Sequence, residues 1–85
     1  MEKYYTYVLY SKTHEKIYIG YSSDIDSRIK SHNELSNKGY TFKFRPWELI
    51  HLEEFSTKAD AMKREKQLKS ANGRMFIWDM ISKLK

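Results

Sequence analysis

Two short runs of aromatic and β-branched residues lie near the start of the sequence, and only a tight turn separates them. The first run, Tyr4–Tyr10, reads YYTYVLY, and the second, Lys16–Tyr21, reads KIYIGY. Residues of these types favour strands, and the polar segment Ser11–His14 has the length of a hairpin turn. We therefore predict a β-hairpin, which needs further elements to cover its apolar residues.

The length of the turn also predicts a register for this hairpin. If Tyr10 lies opposite Glu15, the strands alternate between two apolar faces. One face then pairs Val8 with Ile17 and Thr6 with Ile19, and the other pairs Tyr7 with Tyr18 and Tyr5 with Gly20. This register accounts for the hydrophobic pattern of both strands at once.

A helix predicted over Ser23–Glu34 carries polar residues on its inward side. Ile25 and Ile29 are four positions apart, and Arg28 and His32 fall on the same side. A charged group on such a surface is costly unless it is paired or used for function. The pattern indicates a functional site.

A second predicted helix, Lys58–Ala71, repeats this arrangement with an acid. Ala61, Met62 and Leu68 form its apolar face, and Glu65 lies near the centre of that face. An arginine, a histidine and a carboxylate that converge are suited to chemistry on a phosphate. The two helices together predict such a site.

The ends of the remaining elements have recognisable signals. Capping boxes begin the two helices, Ser23 with Asp26 and Thr57 with Asp60, and Asn72-Gly73 is predicted to end the second. Pro46 precedes a third strand, Trp47–Phe55, and a third helix has apolar residues at helical spacing, namely Ile77, Met80, Ile81 and Leu84. The order β-β-α-β-α-α predicts one α+β domain over residues 1–85, with a mainly antiparallel three-stranded sheet flanked by helices.

The charge of the chain favours a polyanionic partner. Lys and Arg number 16 against 11 acidic residues, which gives a net charge of +5. Nucleic acid is the simplest such partner, although a basic soluble surface is an equally good explanation of charge alone. The chain has no cysteine, which fits a reducing cytoplasm, and its first residues resemble neither a signal peptide nor a membrane span.

Four short motifs together resemble the GIY-YIG nuclease superfamily, in particular its small stand-alone bacterial members. The first is Thr6-Tyr7-Val8, with threonine in place of glycine, and the second is Tyr18-Ile19-Gly20. Arg28 and His32 form the arginine-x3-histidine pattern of the following helix, and Glu65 is the acidic residue within KREK. The order and spacing of the motifs carry the resemblance, which extends over nearly the whole chain.

The resemblance implies hydrolysis of a phosphodiester of nucleic acid, most simply DNA, with one Mg²⁺ or Mn²⁺ held by Glu65. In the family, the tyrosine of the first motif is the base that activates water, here Tyr7. His32 is expected to assist it or to act as the base itself. Arg28 would bind phosphate oxygens, and Tyr18 would orient the nucleophile or the phosphate.

Each of these residues also has an ordinary structural explanation. Tyr7 and Tyr18 are common strand residues, and Arg28 has a stem that can pack while its charged head stays in water. Glu65 can pair with Lys69 at i+4. The whole chain can equally be a non-catalytic nucleic-acid-binding module, or a protein-interaction domain whose charge is incidental.

Two groups of basic residues are candidates for nucleic-acid binding. Lys43 and Arg45 alternate with Tyr40, Phe42 and Phe44 in an irregular stretch, Asn33–Pro46, in which Gly39 marks a turn. An equally good explanation is a β-extension whose aromatic residues cover the core. The other group lies on the second helix and includes Lys66 and Lys69. Asn72, seven residues after Glu65, is either a further site residue or a helix cap.

Overall fold

The computed structural model describes residues 3–35 and 39–84. Within these residues the strands are β1 (Tyr4–Ser11), β2 (Lys16–Ser22) and β3 (Glu48–Phe55), and they form an antiparallel sheet in the order β2-β1-β3. The helices are α1 (Ile25–Lys30), α2 (Tyr40–Lys43), α3 (Lys58–Lys69) and α4 (Ala71–Leu84), and a π-helical turn (Ser31–Leu35) follows α1. The predicted α+β architecture is confirmed.

The predicted hairpin register was wrong by two residues. Tyr7 lies opposite Gly20 and Val8 opposite Ile19, because the last pair before the turn is Ser11 with Lys16. The turn is one residue further along than predicted, and Glu15 closes it with a φ of 53°, a left-handed conformation that few non-glycine residues adopt. A shift of two keeps every side chain on its predicted face.

The first helical region begins and ends differently from the prediction. Asp24, rather than Ser23, is the N-cap, and its side chain accepts a hydrogen bond from the Ser27 backbone N–H. The α-helical hydrogen bonding then changes to a π-helical turn at Ser31, well before the predicted end at Glu34. His32 lies in this turn, and Arg28 lies in the preceding α-helix.

The aromatic stretch before β3 is not a β-extension. Tyr40–Lys43 form one helical turn, α2, which begins after Gly39 with its φ of 90°. Residues 36–38 of the predicted irregular segment lie outside the described residues. The alternation of aromatic and polar residues was therefore misleading, because a single helical turn is too short for its periodicity to show.

The boundary between the last two helices is at Ser70, not at Asn72-Gly73. Ser70 has an extended backbone, and its hydroxyl donates to the Gln67 carbonyl and accepts from the Gly73 backbone N–H. Gly73 lies in the first turn of α4, where an added Cβ would be 2.3 Å from the Gln67 carbonyl oxygen. This glycine therefore permits close packing of the two helices. Thr57 caps α3 as predicted.

The sheet has a hydrophobic cluster on each face. One face packs on α3 and α4, and its buried members are Val8, Tyr10, Ile17, Ile19, Leu68, Ile77 and Ile81. The other consists of Tyr7, Leu9 and Trp47, with Tyr18, Ile25, Ile29 and Phe44 packed against them. Among the helices of the described ranges, none has the length and apolar character that crossing a membrane requires.

Candidate active site

A polar cleft of about 430 Å³ lies beside the β1–β2 hairpin. Its walls are formed by the two strands, the segment before α1, α1 itself and α3, through Tyr4, Tyr7, Tyr18, Gly20, Tyr21, Ser22, Ser23, Arg28, Lys58 and Glu65. Side chains alternate between the two faces of a sheet, so Tyr4 and Tyr21 come from one face and Tyr7 and Tyr18 from the other. The cleft therefore opens at the edge of the sheet. It brings together four of the five predicted catalytic residues.

His32, the fifth residue, lies behind Tyr7. Its ring is buried, and its Nε2 lies 3.1 Å from the hydroxyl of Tyr7, which is also buried. The centre of the His32 ring is 4.6 Å from that of Tyr18. His32 therefore does not line the cleft and is connected to it by the hydrogen bond with the Tyr7 hydroxyl.

Gly20 makes room for the phenol of Tyr7. The two residues are directly opposite each other in the hairpin. A Cβ added to Gly20 would lie 2.6 Å from the Tyr7 hydroxyl oxygen and 2.8 Å from its ring carbon Cζ. Tyr5, the predicted neighbour of Gly20, lies opposite Ser22 instead. The glycine is therefore needed for the close approach of the tyrosine and not only for the strand itself.

The π-helical turn that holds His32 is tied to the segment before β3. The His32 carbonyl accepts a hydrogen bond from Arg45 Nε at 2.9 Å. The adjacent Asn33 donates to the Trp47 carbonyl and accepts from the Trp47 backbone N–H, at 3.0 and 2.6 Å. These three bonds fix the turn against a distant part of the chain.

The two buried groups of the Tyr7–His32 pair have opposite pKa shifts. Burial raises the pKa of the Tyr7 hydroxyl well above its usual value, and Tyr18 and Glu65 raise it further against the opposing charge of Arg28. Burial also lowers the pKa of His32, and the charge of Arg28 lowers it further. At neutral pH the pair is therefore a phenol beside a neutral imidazole. That imidazole can accept a proton from the phenol when its Nε2 is unprotonated.

Arg28 and Glu65 supply the charges of the cleft. Arg28 is exposed on α1, and the side chain of Glu65 on α3 keeps 21% of its exposure. The alternative pairing of Glu65 with Lys69 is present, with Nζ and Oε2 3.7 Å apart. Because the lysine side chain is 55% exposed and the contact is long, this i,i+4 pair contributes little to stability. The carboxylate faces the cleft.

A hydrated divalent cation fits this donor set. Within residues 3–35 and 39–84, no group of three or more His, Cys, Asp or Glu side chains is placed to hold a metal. Glu65 thus offers one carboxylate in a polar cleft whose walls also include Tyr7 and Tyr18. Mg²⁺ commonly uses one or two carboxylates and keeps water or substrate oxygens as its other ligands.

The predicted nucleic-acid-binding residues divide into two groups. Lys69 lies next to Glu65, beside the cleft. Lys43 Nζ lies 5.5 Å from the centre of the Phe44 ring, and the Arg45 guanidinium lies 5.0 Å from that of Phe42. These two residues and the exposed Lys66 do not line the cleft. Arg45 instead fixes the turn that carries His32.

Four cleft residues were not singled out as site residues from the sequence: Tyr4, Tyr21, Ser22 and Ser23. The correct hairpin register would have placed Thr6 opposite Tyr21 and thereby brought Tyr21 to the same part of the sheet. Asn72 does not line the cleft and lies in a separate depression with Arg64, Gln67 and Phe76. The structure therefore places Asn72 away from the site.

Thr6, which replaces the glycine of the first motif, has a structural contact of its own. The residue is fully buried, as the sequence predicts, and its hydroxyl donates to the Ala61 carbonyl of α3 at 2.7 Å. Thr6 precedes Tyr7, and Ala61 precedes Glu65 by one helical turn. The substitution therefore joins the strand of the tyrosine to the helix of the carboxylate.

Comparison with known proteins identifies related chains. Residues 3–77 match the family model of the GIY-YIG catalytic domain. A UPF0213 protein of Staphylococcus saprophyticus is 40% identical over 70 residues, which cover 82% of this chain and 84% of the relative. A UPF0213 protein of Natronomonas pharaonis is 39% identical over 67 residues, or 79% and 78% of the two chains. The solution NMR structure of a UPF0213 protein from Bacillus halodurans matches with a TM-score of 0.55 and 30% identity, over 92% of this chain and 84% of that chain.

Proposed function

The chain belongs to the GIY-YIG family, and from this premise we propose that it is a divalent-metal-dependent endonuclease that hydrolyses phosphodiester bonds of DNA. The observation that carries the proposal is the hydrogen bond between Tyr7 and His32 in the wall of a cleft that also contains Arg28 and Glu65. A buried phenol with a neutral imidazole behind it is arranged for proton transfer.

Proton transfer begins with water on the cleft side of Tyr7. As the water oxygen attacks phosphorus, its proton passes to the Tyr7 oxygen, and the phenolic proton passes to Nε2 of His32. This relay forms no free phenolate, which matters because burial makes that state costly. The bond from phosphorus to the 3′ oxygen breaks, and solvent protonates the departing oxygen.

The other cleft residues hold the substrate and oppose its charge. Arg28 donates to non-bridging phosphate oxygens through a planar, permanently charged guanidinium, and charge on these oxygens increases as the reaction proceeds. Tyr18 packs beside both Tyr7 and His32 and orients the phosphate. Glu65 would hold the divalent cation, which when bound supplies positive charge to the phosphate and to the leaving oxygen.

The decisive experiment compares Glu65→Gln with the wild-type protein on branched, single-stranded and duplex DNA in Mg²⁺ or Mn²⁺. We expect cleavage to fall about 10³-fold, because charge stabilisation by a metal is worth several kcal/mol. Folding and DNA binding should remain. Glu48→Gln changes an exposed carboxylate of β3 outside the cleft and is the matched control.

Two further variants test the assigned roles. Tyr7→Phe keeps the ring and removes the hydroxyl, so we expect about a 10²-fold lower rate. Arg28→Lys keeps the charge but loses the planar guanidinium, so cleavage should also fall. Cleavage that persists in both Glu65→Gln and Tyr7→Phe would contradict this active site. Binding by the wild type without cleavage of any substrate would favour the non-catalytic module.

A further inference from the structure

A second groove lies beside the cleft, along the outer edge of β2. It encloses about 360 Å³, and its lining residues are Ile17, Tyr18, Ile19, Tyr40, Lys69 and Arg74. Tyr18 lines both the groove and the cleft. Lys69, in the groove, also pairs with Glu65 of the cleft. A strand of nucleic acid bound at the cleft therefore has a continuous path into this groove.

Tyr40 presents an immobilised aromatic ring in the groove. Its hydroxyl donates to the Ile17 carbonyl at 3.1 Å. Its ring stacks with that of Trp47, with centres 5.8 Å apart, and packs edge-on against Phe44 at 4.9 Å. The residue nevertheless keeps 46% of its exposure. Because the ring is already fixed, stacking a base on it costs little further side-chain entropy.

Two cations share the groove with this ring. Arg74 belongs to the first turn of α4, and its charge lowers the pKa of the Tyr40 hydroxyl against the larger opposing effect of burial. In the described part of the chain, no carboxylate forms a salt bridge with Arg74. Lys69 pairs only loosely with Glu65, because its Nζ lies 3.7 Å from Oε2 of the carboxylate. Both cations are thus available to phosphates.

We propose that this groove binds an unpaired nucleotide of the strand that is cut, next to the scissile phosphate. Tyr40 stacks on the base, and Lys69 and Arg74 contact the flanking phosphates. A base within a duplex has its faces covered by its neighbours, so the groove selects DNA with a single-stranded extension, flap or branch over blunt duplex. This inference rests on the proposed function, because the cleft defines the strand that is cut.

The test is a binding measurement with fluorescent DNA in EDTA, so that cleavage does not contribute. Three probes share one sequence: a single strand, a blunt duplex and the same duplex with an unpaired extension. Tyr40→Leu removes the stacking surface, and Tyr40→Phe keeps it while removing the hydrogen bond to Ile17. Phe42→Leu is the matched control, because Phe42 is equally exposed, lies in the same helix and is outside the groove.

A parallel pair of variants tests the cations. Arg74→Gln removes one of the two cations of the groove, and Lys83→Gln removes an exposed cation of the same helix, α4, outside the groove. Both positions are exposed, so this pair tests the proposal even if Tyr40→Leu does not fold. Thermal unfolding of every variant checks that a loss of binding is not a loss of structure.

The wild type should bind the extended duplex more tightly than the blunt one. Tyr40→Leu should weaken binding of the extended duplex about fivefold, since stacking on one base is worth about 1 kcal/mol or more. Tyr40→Phe should retain that binding. Arg74→Gln should reduce the slope of log affinity against log salt by about 0.7, the value for one phosphate contact on a single strand. Both control variants should match the wild type.

The outcomes separate this groove from the proposed nuclease function. If Tyr40→Leu and Arg74→Gln bind and cut like the wild type while Glu65→Gln does not cut, the groove proposal is overturned and the nuclease proposal stands. If binding of the extension requires Tyr40 and Arg74 but the wild type cuts no DNA, the groove stands as a binding site and the nuclease proposal fails. Equal affinity of the wild type for blunt and extended duplex also overturns the groove proposal.

Discussion

Each face of the sheet buries a tyrosine, but the hydroxyl groups of the two tyrosines have different surroundings. Tyr10 belongs to the apolar cluster against α3 and α4, where its ring packs edge-on with Trp78 at 6.1 Å. Its hydroxyl is buried and has no hydrogen-bond partner among the described residues. Tyr7, on the other face, lies beside a cleft and shares a hydrogen bond with His32.

This difference separates the two hydrophobic clusters: the one against α3 and α4 stabilises the fold, and the other contains the tyrosine that is hydrogen-bonded to His32. Apart from Tyr10, the buried members of the cluster against α3 and α4 are aliphatic side chains, whose burial is favourable without any specific partner. The opposite face is rich in aromatic rings and includes the polar pair of Tyr7 and His32, each shifted in pKa by burial. We therefore expect changes to the aliphatic residues of the first cluster to alter stability and changes to the Tyr7–His32 pair to alter rate.

The largest expected effect on stability is on the apolar face. Leu68→Ala removes a side chain that is 1% exposed, and we expect a loss of about 3 kcal/mol in the free energy of unfolding. For a domain of this size, that corresponds to a fall in melting temperature of about 15 °C. Leu84, which is 65% exposed, gives the matched control Leu84→Ala. Urea and thermal unfolding measure both.

The rate of DNA cleavage per folded molecule should remain that of the wild type in Leu68→Ala, at a temperature where the variant is folded. A large loss of rate without a loss of stability would contradict this division between the two clusters.

The sequence predicted which face of the sheet each residue occupies, but it did not predict which residues lie opposite each other. A slip of two residues preserves the side of every residue, so Tyr7 and Tyr18 were placed together although they are not opposite each other. The pairing depended on Glu15, whose left-handed backbone has no signal in its residue type. The face assignments also followed from alternation in β1 and β2, which is a local pattern.

The parts of the site that depend on distant contacts were not predictable. The helix containing Arg28 was expected to continue through His32, but a π-helical turn replaces it there. That turn is held by Asn33 and Arg45, through bonds with residues 13 or 14 positions away. Local periodicity carries no information on such bonds. The predicted convergence of the motif residues rested instead on the inward sides of the two helices and the faces of the hairpin, together with the resemblance to a family.

The second prediction concerns Gly20, which packs closely against the phenol of Tyr7. Gly20→Ala places a Cβ where the Tyr7 phenol now lies, so the ring must move away. A displacement of about 1 Å in an active site can reduce the rate about 10²-fold, and we expect a loss of that order here. Single-turnover cleavage measures it.

Ser11→Ala, a small change at a buried position of the same hairpin and outside the cleft, is the control for Gly20→Ala. A Gly20→Ala protein with full activity and an unmoved Tyr7 would show that the close contact has no role in the reaction.

The third prediction concerns the pH dependence that follows from His32. Burial, and then the charge of Arg28, lower the pKa of His32 from its usual value of 6.5. The proton relay needs a neutral His32, so the cleavage rate should stay constant from neutral pH down to 6.5. It should fall only as the pH approaches the pKa of His32 in the folded protein. As the pH drops, His32 is protonated in the unfolded state before it is protonated in the folded state, so the free energy of unfolding falls below pH 6.5. NMR titration of the His32 ring should give a value below 6.5, and Arg28→Gln should raise it by removing the nearby positive charge. An unchanged value in that variant would contradict the assigned influence of Arg28.

The smallest expected effect is the most direct test of the comparison between the two tyrosines. Tyr10→Phe removes a buried hydroxyl without a partner in the described residues, so it should leave the free energy of unfolding unchanged or raise it by up to about 1 kcal/mol. Tyr7→Phe leaves the buried Nε2 of His32 without the phenol and should lower that free energy by about 1 kcal/mol. Because both changes delete one oxygen from a buried ring, the difference between their unfolding curves isolates the hydrogen bond to His32. Equal shifts for the two variants would mean that this bond contributes nothing to stability, and equal cleavage rates would remove Tyr7 from the reaction.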